Sequence, residues 1–146
     1  MASLRLAESD SDLNRCYPVM RQLRPHLAAA GFVARVRAMQ REGYAIAMRE
    51  DDTGAVRAVA GFRIFDMLAC GRTLYVDDLV TDEAARSQGH GAALLRWLVE
   101  RARAAGCHHF SLDSGTHRRE AHRFYFRERM HVSSFHFALP LADPPA

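Results

Sequence analysis

The sequence predicts an α/β protein built on one mixed sheet, with helices on both of its faces. Three observations carry that prediction. Apolar residues alternate with a period of two in some stretches, as from Val56 to Ile64, and recur at helical spacing in others, as from Ala92 to Ala102. Late in the chain, strand, helix and strand follow one another, which implies parallel pairing there; the early strands can pair as antiparallel hairpins. The 146 residues, 49% of them hydrophobic, suffice for one domain with a real core.

Taken in order, residues 3–7 alternate enough for a short first strand. Ser9, Asp10, Ser11 and Asp12 are rich in N-cap candidates, and Leu13, Cys16, Tyr17, Met20 and Leu23 follow at helical spacing. Pro18 falls inside that pattern, so a kink or an early stop is expected. Phe32, Val33, Val36 and Met39 mark a second helix that stops near Gly43; this pair of helices is expected to wall the substrate side. Residues 44–49 and 56–65 read as two strands joined by a turn-rich segment, with Val56, Ala58, Ala60, Phe62 and Ile64 on one face.

Residues 67–72 connect to the next strand, 73–81. The helix after it should bury Ala92, Leu95, Leu98, Val99 and Ala102 and end at Gly106. Residues 109–113 form a further strand, and 118–130 a shorter helix with Ala121, Phe124, Tyr125 and Glu128 inward. Residues 132–139 are expected to close the chain as a strand. The order is β-αα-βββ-α-β-α-β, in a single domain of residues 1–139 followed by a proline-rich tail, 140–146, that should fray.

Composition excludes several classes. A formal charge of +3, with acidic and basic residues interleaved, gives no footprint for nucleic acid. No apolar run is long enough to span a bilayer, and the N-terminus lacks a signal-peptide core. Cys16, Cys70 and Cys107 are widely spaced and form no CxxC pair, as expected of reduced, mostly structural thiols in a cytoplasmic protein. His108 and His109 alternate across a strand and cannot share a metal from one face, so no metal site is expected.

The informative stretch runs from Leu74 to Leu95. It reads as a strand carrying Asp77 and Asp78, a loop Arg86-Ser87-Gln88-Gly89-His90-Gly91, and a helix starting near Ala92. A glycine-bearing loop entering a helix gathers unpaired backbone N–H groups at the positive end of the helix dipole, a setting for phosphate. It is no P-loop, because no Gly-Lys-Ser/Thr follows, and Leu94 stands where a dinucleotide fingerprint needs its third glycine.

The same loop resembles the acetyl-CoA-binding motif of the GNAT family of N-acetyltransferases, with Arg86, Gly89 and Gly91 at the motif positions. Ala121, Phe124 and Tyr125 resemble the family's second signature on the later helix, and the element order is similar too. The segment Tyr75 to Val80 looks like small-amine acetyltransferases, including the diamine type. Residues 121–128 followed by Ser133 to Phe137 look like the aminoalkylphosphonate group. The chain departs from the family pattern at Arg118, where many members carry Asn, and at Arg129, where a glycine commonly ends the helix. An arginine held in left-handed geometry there would cost roughly 1 kcal/mol.

The resemblance implies acetyl-CoA as co-substrate and a primary amine of a small molecule as acceptor, with direct attack in a ternary complex. Arg86, Ser87, Gln88, Gly89, His90, Gly91 and Ala92 would cradle the pyrophosphate. Leu79 and Val80 would offer backbone to the pantetheine arm where the strand splays. Tyr125 would be the general acid, its phenol pKa of about 10 lying near that of a thiol, about 8.5. Asp77 and Asp78 are candidates for base and amine anchor. Adjacent strand residues face opposite sides, so only one of them should line the site unless the strand bulges. Without ligands, Tyr125 would be a core tyrosine, Asp78 a salt-bridge partner of an early-helix arginine, and Asp77 a solvated edge. Strand edges exposed in this fold often pair, which makes a homodimer one expected assembly. The competing readings are a protein or peptide N-acetyltransferase of the same fold, and an acyl-CoA-binding sensor without turnover.

Overall fold

A computed structural model describes all residues, 1–146. Five strands form one sheet in chain order: β1 (Ser3–Leu6), β2 (Tyr44–Glu50), β3 (Val56–Met67), β4 (Gly71–Thr81) and β5 (His109–Leu112). The first four pair antiparallel, and β4 with β5 parallel. Helices α1 (Asp10–Leu23) and α2 (Phe32–Gln40) connect β1 to β2. Helix α3 (His90–Ala104) crosses from β4 to β5, and α4 (Arg119–Arg127) follows β5.

The core lies in two layers, one on each face of the sheet. Leu13, Cys16, Val19 and Met20 of α1 and Phe32 and Val36 of α2 pack on Ile46, Met48, Val59 and Val80. On the opposite face Leu94, Leu95, Leu98 and Ala102 of α3 pack on Ala58, Ala60, Phe62, Leu74 and Val76. Helices on both faces of a mixed sheet are therefore present as the patterning predicts. The α3 stripe is shifted: Leu94 is fully buried, whereas Ala92 and Val99 are only half-buried.

Local chemistry explains the ends. Ser9 and Asp12 form a capping box at α1, each side chain taking the other's backbone N–H. Asp12 also holds Arg5 at 2.8 Å, and that guanidinium keeps its carboxyl well below the usual range. Pro18 neither stops nor shortens α1. The lost hydrogen bond and ring clash cost about 3 kcal/mol, and burying Leu13, Cys16, Val19 and Met20 at roughly 1.5–3 kcal/mol for each large side chain outweighs it. Burial pushes the Cys16 thiol up to about 12, so it stays protonated. Gly106 ends α3 at φ 75°, and Arg129 ends α4 at φ 65°, the left-handed geometry a glycine usually takes.

Three expectations are corrected. Val56 does not share a face with Ala58, Ala60, Phe62 and Ile64. The β2–β3 register shifts at Glu50, leaving Arg57 unpaired, and Val56 turns to the α1 side. Residues 132–139 form no strand: the chain beyond Met130 takes no regular structure and makes no backbone–backbone hydrogen bond. Alternation alone does not make a strand; it needs a partner edge, and this segment pairs with none. Helix α4 is shorter than 118–130, while Ala121, Phe124, Tyr125 and Glu128 do form its inner side, half-buried, with Phe124 and Tyr125 against the α3-side core. Cys107 is likewise half-buried.

Candidate active site

Two irregularities of β4 create the site. The β3–β4 register shifts between Gly61 and Phe62: Gly61 opposes Asp78, Phe62 opposes Val76, and Asp77 is the extra residue. Such a bulge turns two consecutive side chains to the same side. Asp77 and Asp78 accordingly both point to the α1/α2 face, where their partners stand. On the other edge, β4 pairs with β5 only from Thr73 to Val76. Beyond Val76 the backbone of β4 on its β5 side is open, and that opening passes Leu79 and Val80. Their side chains anchor opposite core layers.

Asp78 is gripped from two sides. Arg24 Nε donates to its Oδ1 at 2.9 Å and Tyr44 Oη to its Oδ2 at 2.7 Å, while Arg24 also donates to the Asp77 carbonyl. Asp77 is held in a fork by Arg63, at 3.1 and 2.7 Å, and Arg63 lies over the Tyr44 ring. Burial, then the Asp78 charge, push the Tyr44 hydroxyl well above its usual pKa, so it remains a donor. Asp78 thus forms the ion pair with an early-helix arginine that its sequence context allows, and Asp77 is paired rather than solvated.

Gly61 makes this arrangement possible. A Cβ there would run into Tyr44 Oη and sit 2.5 Å from Asp78 Oδ2. Arg24, Tyr44, Gly61 and Arg63 escaped the sequence reading. For Gly61 a signal existed, because a glycine inside a strand pattern marks a bulge or close approach. The other three are common residue types whose convergence depends on register.

Asp78, with Arg24 and Tyr44, lines a cavity of about 220 Å³ between α1, α2 and the sheet. Met20, Leu27, Phe32, Val36 and Met39 make most of it apolar, and His26 and Arg35 add basic groups. Asp77 is outside this lining. The two aspartates are thereby distinguished: one faces the cavity, the other supports the strand.

On the opposite face lies the glycine-bearing loop. Asp82 starts a short turn, Glu83–Ala85, and Arg86 to Gly89 lead into α3. Ser87 at φ 63° and Gly89 at φ 82° are left-handed, and the backbone N–H groups of Arg86, Ser87, Gln88 and Gly89 have no backbone partner. Those of His90, Gly91 and Ala92, in the first helical turn, are free by construction. The Arg86 side chain is exposed and unpaired, and a Cβ on Gly89 would meet nothing within 4 Å, so the loop faces open space. Gly91 is the close-approach glycine: a Cβ would lie 2.8 Å from Thr81 Oγ1 and 4.0 Å from Phe124. The loop therefore abuts the end of β4 and α4. These groups fit a ligand with a pyrophosphate and an amide-bearing arm, and so does Ser114, whose buried Oγ just past β5 has no partner.

Tyr125 sits on α4, its ring tilted against Phe124 at 5.3 Å in the α3-side layer. Its hydroxyl makes no hydrogen bond in the protein. Burial raises its pKa, with Arg118 opposing. The fold thus places Tyr125 in the α3-side layer, beside the Phe124 that approaches Gly91, and the aspartates on the other face of the sheet, with β4 unpaired toward β5 beyond Val76.

His90 is buried at the start of α3, where its Nδ1 accepts from Arg49 Nε at 3.0 Å. Burial, then the Arg49 charge, hold its pKa below the usual value. As pH falls below about 6.5, the unfolded chain takes up a proton that the folded chain resists, so stability drops until the folded value is passed. His90→Gln should consequently lose less melting temperature than the wild type on going from about pH 7.5 to about pH 5.5. Equal losses would remove His90 from this account.

No helix of the structure is long and apolar enough to cross a membrane. The family model described as acetyltransferase (GNAT) matches residues 8–131. An N-acetyltransferase of Bacillus subtilis, named as uncharacterized, is 35% identical over 86% of this chain and 88% of its own length. The aminoalkylphosphonate N-acetyltransferase of Salmonella typhimurium is 41% identical over 45% of this chain and 43% of its own. Among solved structures, an acetyltransferase of Trypanosoma brucei superposes with a TM-score of 0.78 at 25% identity, covering 97% of this chain and all of the other. A glycine-led helix start and a sheet open beside β4 are what such a match leads one to look for, and the chain belongs to the GNAT family as an N-acetyltransferase.

Proposed function

We propose that the protein transfers an acetyl group from acetyl-CoA to the primary amine of a small molecule, by direct attack in a ternary complex. The observation that carries this reading is the bulge at Asp77. It sets two carboxylates on the α1/α2 face, of which Asp78 enters a mostly apolar cavity that also carries Arg24, Arg35 and His26, while the opposite edge of β4 stays unpaired. When bound, acetyl-CoA supplies an activated acyl group on a thioester. Arg86 to Ala92 hold its pyrophosphate through backbone N–H groups, and the open edge at Leu79 and Val80 receives its amide-bearing arm.

Asp78 anchors the acceptor ammonium and takes its proton, directly or through water, which frees the lone pair for attack. Arg24 and Tyr44 keep the carboxylate oriented. Tyr125 gives its phenolic proton to the departing thiolate. Burial favours the neutral phenol, which keeps that proton in place through the physiological range. Asp77 supports the bulge through Arg63.

The cavity also bears on the acceptor. Arg24, Arg35 and His26 would repel the second ammonium of a diamine and favour an amine with an anionic far end. The relative acting on aminoalkylphosphonates supports that choice. Free thiols and the absence of any bridge suit a cytoplasmic site of action, and a pair of chains is the assembly we infer.

The test is thiol release from acetyl-CoA with a panel of aminophosphonates, amino acids, aminoglycosides, diamines and peptides. Turnover is expected with anionic small amines. Asp78→Asn should reduce kcat/KM by about 10²-fold or more, and Asp77→Asn should act mainly on stability. Acetyl-CoA binding without release on any acceptor would favour the sensor reading, and turnover on peptides alone the protein-modifying one.

A further inference from the structure

Arg24 is tied to β4 by one edge of its guanidinium only. Nε donates to Asp78 Oδ1 and Nη2 to the Asp77 carbonyl, both at 2.9 Å. A guanidinium carries five N–H donors in a planar fork, and Nη1 of Arg24 makes no hydrogen bond in the protein. The other edge, formed by Nη1 and the second N–H of Nη2, is therefore free. Two parallel N–H groups of that kind match two oxygens of a carboxylate or phosphonate. The Arg24 side chain is 41% exposed and lines the cavity that Asp78 enters, so a ligand there can reach the free edge.

Asp78 has room for a further donor. Arg24 occupies Oδ1 once and Tyr44 occupies Oδ2 once, and each carboxylate oxygen can accept a second hydrogen bond. An ammonium that binds there sits beside a permanent cation. A simple alkylamine meets that repulsion with nothing to offset it, whereas an amine with its own anion sets opposite charge on the free edge of Arg24. Three cations line the cavity, and the one that meets the anion sets how far the anion stands from the amine. Arg35 already donates Nη1 to the Pro145 carbonyl at 2.9 Å, and His26 is exposed. Arg24 alone of the three hydrogen-bonds Asp78.

We propose that Arg24 determines acceptor specificity, and that the acceptor is a short zwitterion, an amine with a carboxylate or phosphonate about one or two carbons from its nitrogen. The ammonium takes the free lone pairs of Asp78, and the anion takes the free fork of Arg24. Both partners belong to one existing ion pair, so the two groups of the acceptor must stand close together. A spacer of about four carbons or more overshoots the fork. Met20, Leu27, Phe32, Val36 and Met39 receive the apolar group that such an acceptor carries. Binding leaves the Nε–Asp78 bond in place, so neither charge loses its partner. The proposal rests on the reading of Asp78 as the amine anchor of the acetyl-transfer site, and adds to it where the anion lies.

Thiol release from acetyl-CoA with matched acceptors tests it: β-alanine and aminoethylphosphonate against propylamine, with aminohexanoate as the long-spacer control. The wild type is expected to favour the short zwitterions over propylamine by at least about 10²-fold in kcat/KM, and over aminohexanoate by at least about 10-fold. Arg24→Gln should lower kcat/KM for the short zwitterions by about 10²-fold, mostly through KM, and narrow or reverse their advantage over propylamine. Arg24→Lys keeps the charge without the fork and should fall between. A substitution that only loosened the bulge would slow all acceptors alike and leave their ratios unchanged, and that result overturns the proposal. So does a wild type that prefers propylamine or aminohexanoate. Calorimetric titration of the same amines into the wild type and Arg24→Gln separates this proposal from the acetyl-transfer reading. If no acceptor releases thiol, that reading fails, while zwitterion binding that depends on Arg24 still supports the proposal and its absence overturns it.

Discussion

Tyr125→Phe is expected to lower kcat by about 10²–10⁴-fold while acetyl-CoA still binds with near wild-type affinity. The substitution removes one oxygen from a ring that packs on Phe124, and that oxygen has no hydrogen-bond partner to orphan. Stability should therefore change little, by about 1 kcal/mol or less. The pH profile adds a second reading. Because burial raises the phenol's pKa, the wild-type rate should show no alkaline loss from this group until above about pH 10. Folding stability is affected in the same direction: above the unfolded value the unfolded chain gives up its proton first, so stability falls as pH rises further. An unchanged kcat in the variant would sink the acid assignment and leave Tyr125 as a packing residue.

Gly61→Ala should damage both fold and activity. The added methyl collides with Tyr44 Oη and lies 2.5 Å from Asp78 Oδ2, so the pair must separate or β3 must shift. Overpacking of this kind costs about 1–3 kcal/mol, and misplacing Asp78 should lower kcat/KM by at least about 10²-fold. A second substitution separates the collision from a general intolerance of strand β3. In a Tyr44→Ala background the methyl meets neither the hydroxyl nor the ring carbon that bears it, so the two changes should be far from additive. Strict additivity in urea unfolding and in kcat/KM would show that Gly61 does not act through Tyr44.

Both predictions come from residues that differ in how visible they are in the sequence. Tyr125 is found by a motif, since its neighbours Ala121 and Phe124 stand at fixed spacing on one helix. The loop from Arg86 to Ala92 is found the same way, and there local backbone geometry, with Ser87 and Gly89 left-handed, follows from local sequence. Arg24, Tyr44 and Arg63 come from three different elements and meet only because β2, β3 and β4 adopt one register. A shift of one residue would turn Tyr44 or Arg63 to the other face and away from Arg24.

What the amino-acid order determined by itself is whatever depends on nearest neighbours along the chain. That covers the periodicities of α1, α2, α3 and β2 to β5, the cap at Ser9, the stop at Gly106 and the loop before α3. Long-range pairing decided the rest. The bulge at Asp77 let both aspartates face one side, where alternation permits only one. The shift between β2 and β3 at Glu50 put Val56 on the far face, and residues 132–139 stayed without a strand despite their pattern. Bulges and strand partners are properties of two chains of hydrogen bonds in contact, so they exist only once the sheet has formed.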